Sequence, residues 1–222
     1  MVAQDPEGRP LRRAQDTRAR ILEVAEREFA TEGFAGAHLQ KIAEQVGVRK
    51  TALYYHFDSK AALYTAVLEA MLETFDRALV DALEGGDAPG KRLERLVGGF
   101  NQLLAEHPWY ARILFRVFVD QPGVDASRVL PIVERAIGRL FRFYREGVDA
   151  GAFRRLSSRH FFQNLLGATV FHFAAPFFSA RVLGVDDVFS PEAVTWRRDE
   201  LLAVLEDGVL RREGKPEPRR RE

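Results

Sequence analysis

The chain has 222 residues, 46% hydrophobic and 29% charged, which is enough apolar content to bury a core and too much for a disordered chain. The absence of cysteine excludes disulfides, thiolate metal sites and cysteine nucleophiles. A formal net charge of +1 at pH 7 gives no overall attraction to nucleic acid, so any phosphate binding must come from where the charges sit.

The first residues, MVAQDPEGRPLRRAQ, carry acids and prolines where an export signal needs an apolar run. A flexible basic arm over residues 1–14 and a cytoplasmic location are expected. From Arg9 to Arg20, five arginines (Arg9, Arg12, Arg13, Arg18, Arg20) stand against Asp16 alone, a local balance of five minus one, or +4. Asp16 and Thr17 open the first expected helix, which carries Ile21, Leu22, Ala25 and Phe29 on one face and ends near Glu32, where Gly33 stops it.

Two short helices follow, from about His38 to Gln45 and from Arg49 to about His56, joined by Val46-Gly47-Val48. Leu39, Ile42, Ala43, Val46 and Val48 form an inward face, small Ala43 lets the next helix approach, and Gly47 supplies the left-handed turn. The second short helix hides Leu53 and Phe57 and leaves Arg49, Lys50, Thr51, Tyr54, Tyr55 and His56 outward. Cations and phenols donate to phosphate oxygens, while small Thr51 and Ala52 permit close approach to base edges. Lys60, one turn on, suits a further phosphate.

Asp58 is the expected cap of a long helix in which Leu63, Val67, Met71, Phe75, Leu79 and Leu83 repeat every four residues. The segment Gly85-Gly86-Asp87-Ala88-Pro89-Gly90 is a loop, with Asp87 expected to cap the next helix and Pro89 in its first turn. It lacks the strand and the Gly-Lys-Ser/Thr ending of a phosphate loop. Further helices are expected near 89–106, 108–120, 127–150, 158–181 and 191–212. The chain reads as all-α with about nine helices and no repeat. From Arg211 to Glu222 six basic residues stand against three acids, read as a solvated tail.

The stretch LQKIAEQVGVRKTALYYHFDSKAAL, Leu39 to Leu63, resembles the DNA-binding signature of the TetR/AcrR family of transcriptional regulators. It joins an Ile-Ala pair, a Gly-Val turn, a Leu-Tyr-x-His-Phe segment and a Ser-Lys-x-x-Leu helix start, and Gly33-Phe34 also fits. The resemblance covers roughly residues 15–65. It implies a three-helix helix-turn-helix domain at 15–60, a helical ligand-binding and dimerisation domain at 61–212 and a flexible tail at 213–222. It also implies that Gln40, Lys50, Thr51, Ala52, Tyr54 and Tyr55 face the major groove, that His56 and Lys60 hold phosphates, and that Thr17 and Arg18 steady the backbone. Ala37 and His38 stand where the family commonly has Thr, and Arg49 and Thr51 where Ser and Gly are common, which puts capping, phosphate contacts and operator sequence in question.

In the body, phenylalanine-rich segments fill a core, line a cavity or do both. Phe161 to Ala180 holds no Asp, Glu, Lys or Arg in twenty residues, so both faces need covering; Gln163, Asn164, His172, Pro176 and Ser179 argue against a membrane span. With the last helix (Leu201, Leu202, Val204, Leu205, Val209) it forms the homodimer interface that the resemblance implies. The candidate contacts for a small apolar effector are Phe100, Trp109, Arg112, Phe115, Arg116, Phe141, Tyr144, Asn164, Thr169, His172 and Phe173. Arg112 and Arg116, one turn apart, could instead hold an acid group, and each polar candidate is equally a core hydrogen bond or a surface ion pair.

No cofactor or metal is expected, since His160 and His172 lie about 18 Å apart along one helix and only His107 could join either. No G-x-S-x-G, H-E-x-x-H or dinucleotide motif marks an enzyme. The expected function is a dimeric repressor that leaves a palindromic DNA operator when the effector binds. The alternatives are a ligand-blind helix-turn-helix dimer and a helical enzyme.

Overall fold

Apolar residues at helical spacing build helices almost throughout the chain, which is represented by a computed structural model that describes residues 8–120 and 124–210. The tail from Arg211 and residues 1–7 of the arm lie outside the described residues. In order, the helices are α1 (Gly8–Gly36), α2 (Leu39–Val46), α3 (Lys50–His56), α4 (Lys60–Leu83), α5 (Pro89–Glu106), α6 (Pro108–Asp120), α7 (Ala126–Asp149), α8 (Ser158–Ala174), α9 (Pro176–Leu183) and α10 (Pro191–Val209). Among the described residues there is no strand, only an isolated bridge between Phe153 and Leu210.

Four expectations about helix ends need correction. Helix α1 begins at Gly8, ahead of the Asp16-Thr17 start, so part of the expected flexible arm has a helical backbone. The cap of α4 is Ser59, whose hydroxyl accepts from the Ala62 amide at 3.0 Å, and not Asp58. Asp87 pairs with Arg95, so Ala88 precedes Pro89 at the start of α5 without a side-chain cap. The expected single helix near 158–181 is two, because Pro176 cannot donate to the turn before it and Ala175 leaves helical geometry; α8 and α9 meet at a 96° bend. The described helices therefore number ten, and no single one is long and apolar enough to cross a membrane.

Helix α4 is the spine. Leu63, Val67, Met71, Phe75, Leu79 and Leu83 are all buried, and α4 packs on α1, α5 and α7. Its N-terminal half joins α1, α2, α3, α5, α6, Val170 and Phe173 in one apolar cluster, with no division near residue 60. Its C-terminal half joins a second cluster with Leu93, Phe143, Tyr144, Phe153, Phe161 and Leu201. On its other side, α4 presents Glu69, Glu73 and Asp76 to Arg128, Arg135 and Arg139 of α7. Asp76 is buried yet receives Arg135 at 2.8 Å and Arg139 at 3.3 Å, which offsets the cost of taking its charge out of water.

The head joins the body through the end of α1. Gly33 (φ 73°) breaks the helix, as expected from the sequence, and leaves the carbonyls before it without intrahelical donors. Arg116 of α6 supplies them, donating to Ala30 O at 3.2 Å and to Thr31 O at 2.8 Å. Phe29 and Phe34 meet Tyr64 of α4 at ring-centroid distances of 4.8 and 5.3 Å on the same junction.

At the far end, the α7–α8 connection folds Phe153 onto Gly147, and a Cβ at position 147 would fall inside the Phe153 ring. Phe153 is buried between Phe143 and Tyr144, so the ring has nowhere to go. Gly147→Ala is expected to lower stability by about 1–3 kcal/mol, the usual cost of overpacking, read as a lower urea midpoint with an unchanged slope.

Candidate nucleic-acid interface

Helices α2 and α3 are short and get their stability from what they bury. Ile42, Ala43 and Val46 of α2 and Leu53 of α3 are buried with Ile21, Ala25 and Phe29 of α1. Gly47 (φ 78°, ψ 32°) ends α2 in the left-handed conformation, and the Val48 amide donates to Ala43 O at 2.9 Å. Neither His38 before α2 nor Arg49 before α3 caps with its side chain, so these two of the four positions that depart from the family pattern lack a capping hydrogen bond.

Three polar side chains that the sequence reading did not single out as braces hold this arrangement. Arg20 donates to Val46 O at 2.9 Å and fixes the turn to α1. Lys41 pairs with Glu28, nearly fully buried, at 2.8 Å; hydrogen bonding to Glu28 raises the Lys41 pKa above the ordinary value. Arg18 lies over the Phe57 ring at 5.1 Å. A basic residue four or more turns from its partner in sequence shows only its charge in the sequence, which is why Arg20 reads there as one more cation of the arm.

The outward face of α3 is as expected. Arg49, Lys50, Thr51, Tyr54 and Tyr55 are exposed, Tyr55 at 83%, while Ala52 and His56 are half-buried. Lys50 sits over Tyr54 at 6.0 Å and His56 packs edge-on to Tyr55 at 5.3 Å. Gln40 is exposed on α2 and donates to Glu44 at 2.7 Å; Thr17 is half-buried. Lys60 also has an intrachain role: its ammonium donates to Ala35 O at 3.0 Å and lies over Phe34 at 5.1 Å, bracing the end of α1.

Residues 21–67 match the family described as bacterial regulatory proteins, tetR family. The head of the chain is therefore similar to the DNA-binding segment of the TetR family of bacterial regulatory proteins. It is 42% identical over 96 residues to the HTH-type transcriptional regulator TtgR of Pseudomonas putida, covering 42% of this chain and 45% of TtgR, so the match spans about half the length of that relative. It is 28% identical over 144 residues, 64% of this chain and 68% of the relative, to the HTH-type transcriptional repressor NicS of Pseudomonas putida. The fold matches the crystal structure of AibR in complex with isovaleryl coenzyme A and operator DNA, with a TM-score of 0.66 at 17% identity over 85% of this chain and 97% of that one. These relatives are regulators and not enzymes.

The effector candidates of this chain do not converge. Phe141 and Tyr144 line a cavity of about 410 Å³ between α7 and α8, beside Arg145, Arg155 and Arg159. Arg112, Phe115 and Arg116 line another of about 350 Å³ against α1, and Trp109 lines a third of about 600 Å³ at the head–body junction. Arg116 is committed to α1 carbonyls, and Arg112 lies over Trp109 at 5.5 Å. Phe115 and Asn164 are exposed, Phe173 is fully buried, and Phe100 packs on Phe75 at 5.2 Å. The Thr169 hydroxyl donates to Leu165 O at 2.9 Å within its own helix.

His172 is buried beside Arg197, which itself donates to Ala168 O at 2.9 Å. Burial first, and Arg197 second, push the imidazole pKa down to about 4 from its ordinary 6.5. The unfolded chain then binds more protons than the folded one between these values, so stability present at neutral pH is lost as pH falls from 6.5 toward 4. The urea midpoint is expected to drop across that interval, and His172→Asn to flatten the drop.

The division between exposed and buried residues on α3 also has a measurable consequence. Leu53→Ala is expected to cost about 2–5 kcal/mol of stability, as for other fully buried leucines, whereas Tyr55→Ala stays within about 0.5 kcal/mol. Thermal melts of the two variants check both.

Proposed function

We propose that this chain is a one-component transcriptional regulator that binds a palindromic double-stranded DNA operator as a homodimer, represses transcription and leaves the operator when a small apolar effector binds. One observation carries the reading. A helix held rigidly by Leu53, Phe57 and the Gly47 turn exposes a row of cations, a hydroxyl and two phenols that have no partner helix to pack against. Lys50, Thr51, Ala52, Tyr54 and Tyr55 are the groove-facing set, with Gln40 beside them. Arg49 and His56 stand on phosphates, and Thr17, Arg18 and Lys60 reach the backbone with whatever donors their intrachain contacts leave.

The names of TtgR and NicS, a regulator and a repressor, support the activity, and AibR, described with both isovaleryl coenzyme A and operator DNA, supports coupling of an effector to DNA. For the dimer, the support is an apolar face on α8, α9 and α10. Phe171, Phe177, Phe178 and Val182 are 47%, 82%, 56% and 66% exposed, and Val204 is 69% exposed. The face is narrower than expected, because Leu201, Leu205 and Val209 are used within the chain and only Val204 of that set points clear of it. A dimer closed there would hold two α3 helices at half-sites one or more turns of DNA apart. Effector release works through α4, which runs from Ser59 beside the head to Leu83 in the far core, so displacing it moves both heads.

The test is binding to the DNA upstream of the chain's own coding region at two salt concentrations. Wild type is expected to bind specifically, with affinity falling steeply as salt rises. Lys50→Ala with Tyr54→Ala is expected to weaken specific binding at least tenfold and to reduce the salt slope by about 1. Equal, weak binding by both proteins would remove the head's assignment.

A further inference from the structure

The third cavity, at the head–body junction, has a chemistry of its own. It holds about 600 Å³ between α1, α4 and the start of α6, within the range of small-molecule sites. One wall is apolar, with Leu22 and Val24 of α1 and Val67 of α4; another is aromatic, with Trp109 and Tyr110 and with His107 stacked on Tyr110 at 4.4 Å. Three carboxylates share the space, Glu23, Glu26 and Glu106, against one cation, Arg27, whose guanidinium is drawn over the Trp109 ring at 5.8 Å. Glu106 already accepts from Gln102 at 2.9 Å.

Glu26 is different. It is half-buried, and among the described residues its carboxylate has neither an ion pair nor a hydrogen-bond partner. Burial first, and the neighbouring Glu23 second, push its pKa up to about 7. The other charged or titratable groups around it are Arg27 on α1, Glu106 on α5, His107 between α5 and α6, and Tyr110 on α6, with Arg77 of α4 acting on Tyr110. A half-buried acid with no counter-ion, facing aromatic rings, fits a positive charge carried on an apolar body.

We propose that this junction cavity binds a lipophilic organic cation, with its charge against Glu26 and its apolar groups against Trp109, Leu22 and Val67. The occupant touches α1 of the head and α4 and α6 of the body at once, so it sets the angle between them. That consequence rests on the regulator reading; the binding itself does not.

The probe is tetraphenylphosphonium, with tetraphenylborate as an anion of the same shape, titrated calorimetrically into the full chain without DNA. Saturable binding of the cation is expected, tightening about tenfold from pH 6 to pH 8, the ratio of ionised Glu26 for a pKa of about 7. Glu26→Gln is expected to weaken binding about tenfold at pH 8 and to abolish the pH dependence, while its melting temperature is no lower than wild type because a half-buried charge has been removed. The variant also separates the part of Glu26 from that of the neighbouring His107. Equal binding of the two tetraphenyl ions, no saturable binding at millimolar cation, or an unchanged pH slope in Glu26→Gln would each overturn the proposal. Loss of operator recognition by the head would overturn the regulator reading and leave these titrations as they stand.

Discussion

Everything in this molecule depends on how the end of α1 is tied to α6. A helix that stops at Gly33 leaves carbonyl groups that need donors, and the donor is not a local cap but Arg116, 85 residues further along the chain at Thr31 O. The guanidinium fork reaches two carbonyls at once, which is what a planar, multiply donating side chain can do and an ammonium cannot. It packs so closely that a Cβ at position 33 would come within 2.7 Å of its Nη1. Gly33 therefore has two reasons to be glycine, the positive φ and the approach of Arg116.

Around that joint, the apolar core runs without interruption from Ile21 in the head to Phe173 in the body. The head is not a bead on a string, because packed side chains connect it to the body. Helix α4 spans both apolar clusters along its length, with leucines and aromatics on the core side and acids paired to α7 arginines on the other. The junction cavity lies where α1, α4 and α6 diverge, the one region of this joint in which an acid faces space and not a partner.

Two of the exposed surfaces among the described residues enter the proposed function. The α3 face carries chemistry for phosphates and base edges, and the face of Phe171, Phe177, Phe178, Val182 and Val204 carries only hydrophobic area. The proposed operator contact uses the first of these faces and the proposed dimer the second.

The helices, the Gly47 turn, the α4 stripe and the outward face of α3 were legible in the sequence because each is a local pattern: apolar spacing, a glycine between two short helices, buried residues four apart. So was the family signature, which lies within 25 consecutive residues from Leu39 to Leu63. The pairing of Arg20 with Val46 O, of Arg116 with α1, and of Asp76 with Arg135 and Arg139 was not legible, since a charged residue shows its sign in the sequence but not its partner. For the same reason the effector candidates could be chosen by type, yet only the tertiary structure could show them split among three cavities, spent in the core or, for Asn164, left on the surface. Local periodicity and turn chemistry are written in neighbouring residues; which polar group meets which, and which apolar face stays open, depend on how helices dozens of residues apart come to lie side by side.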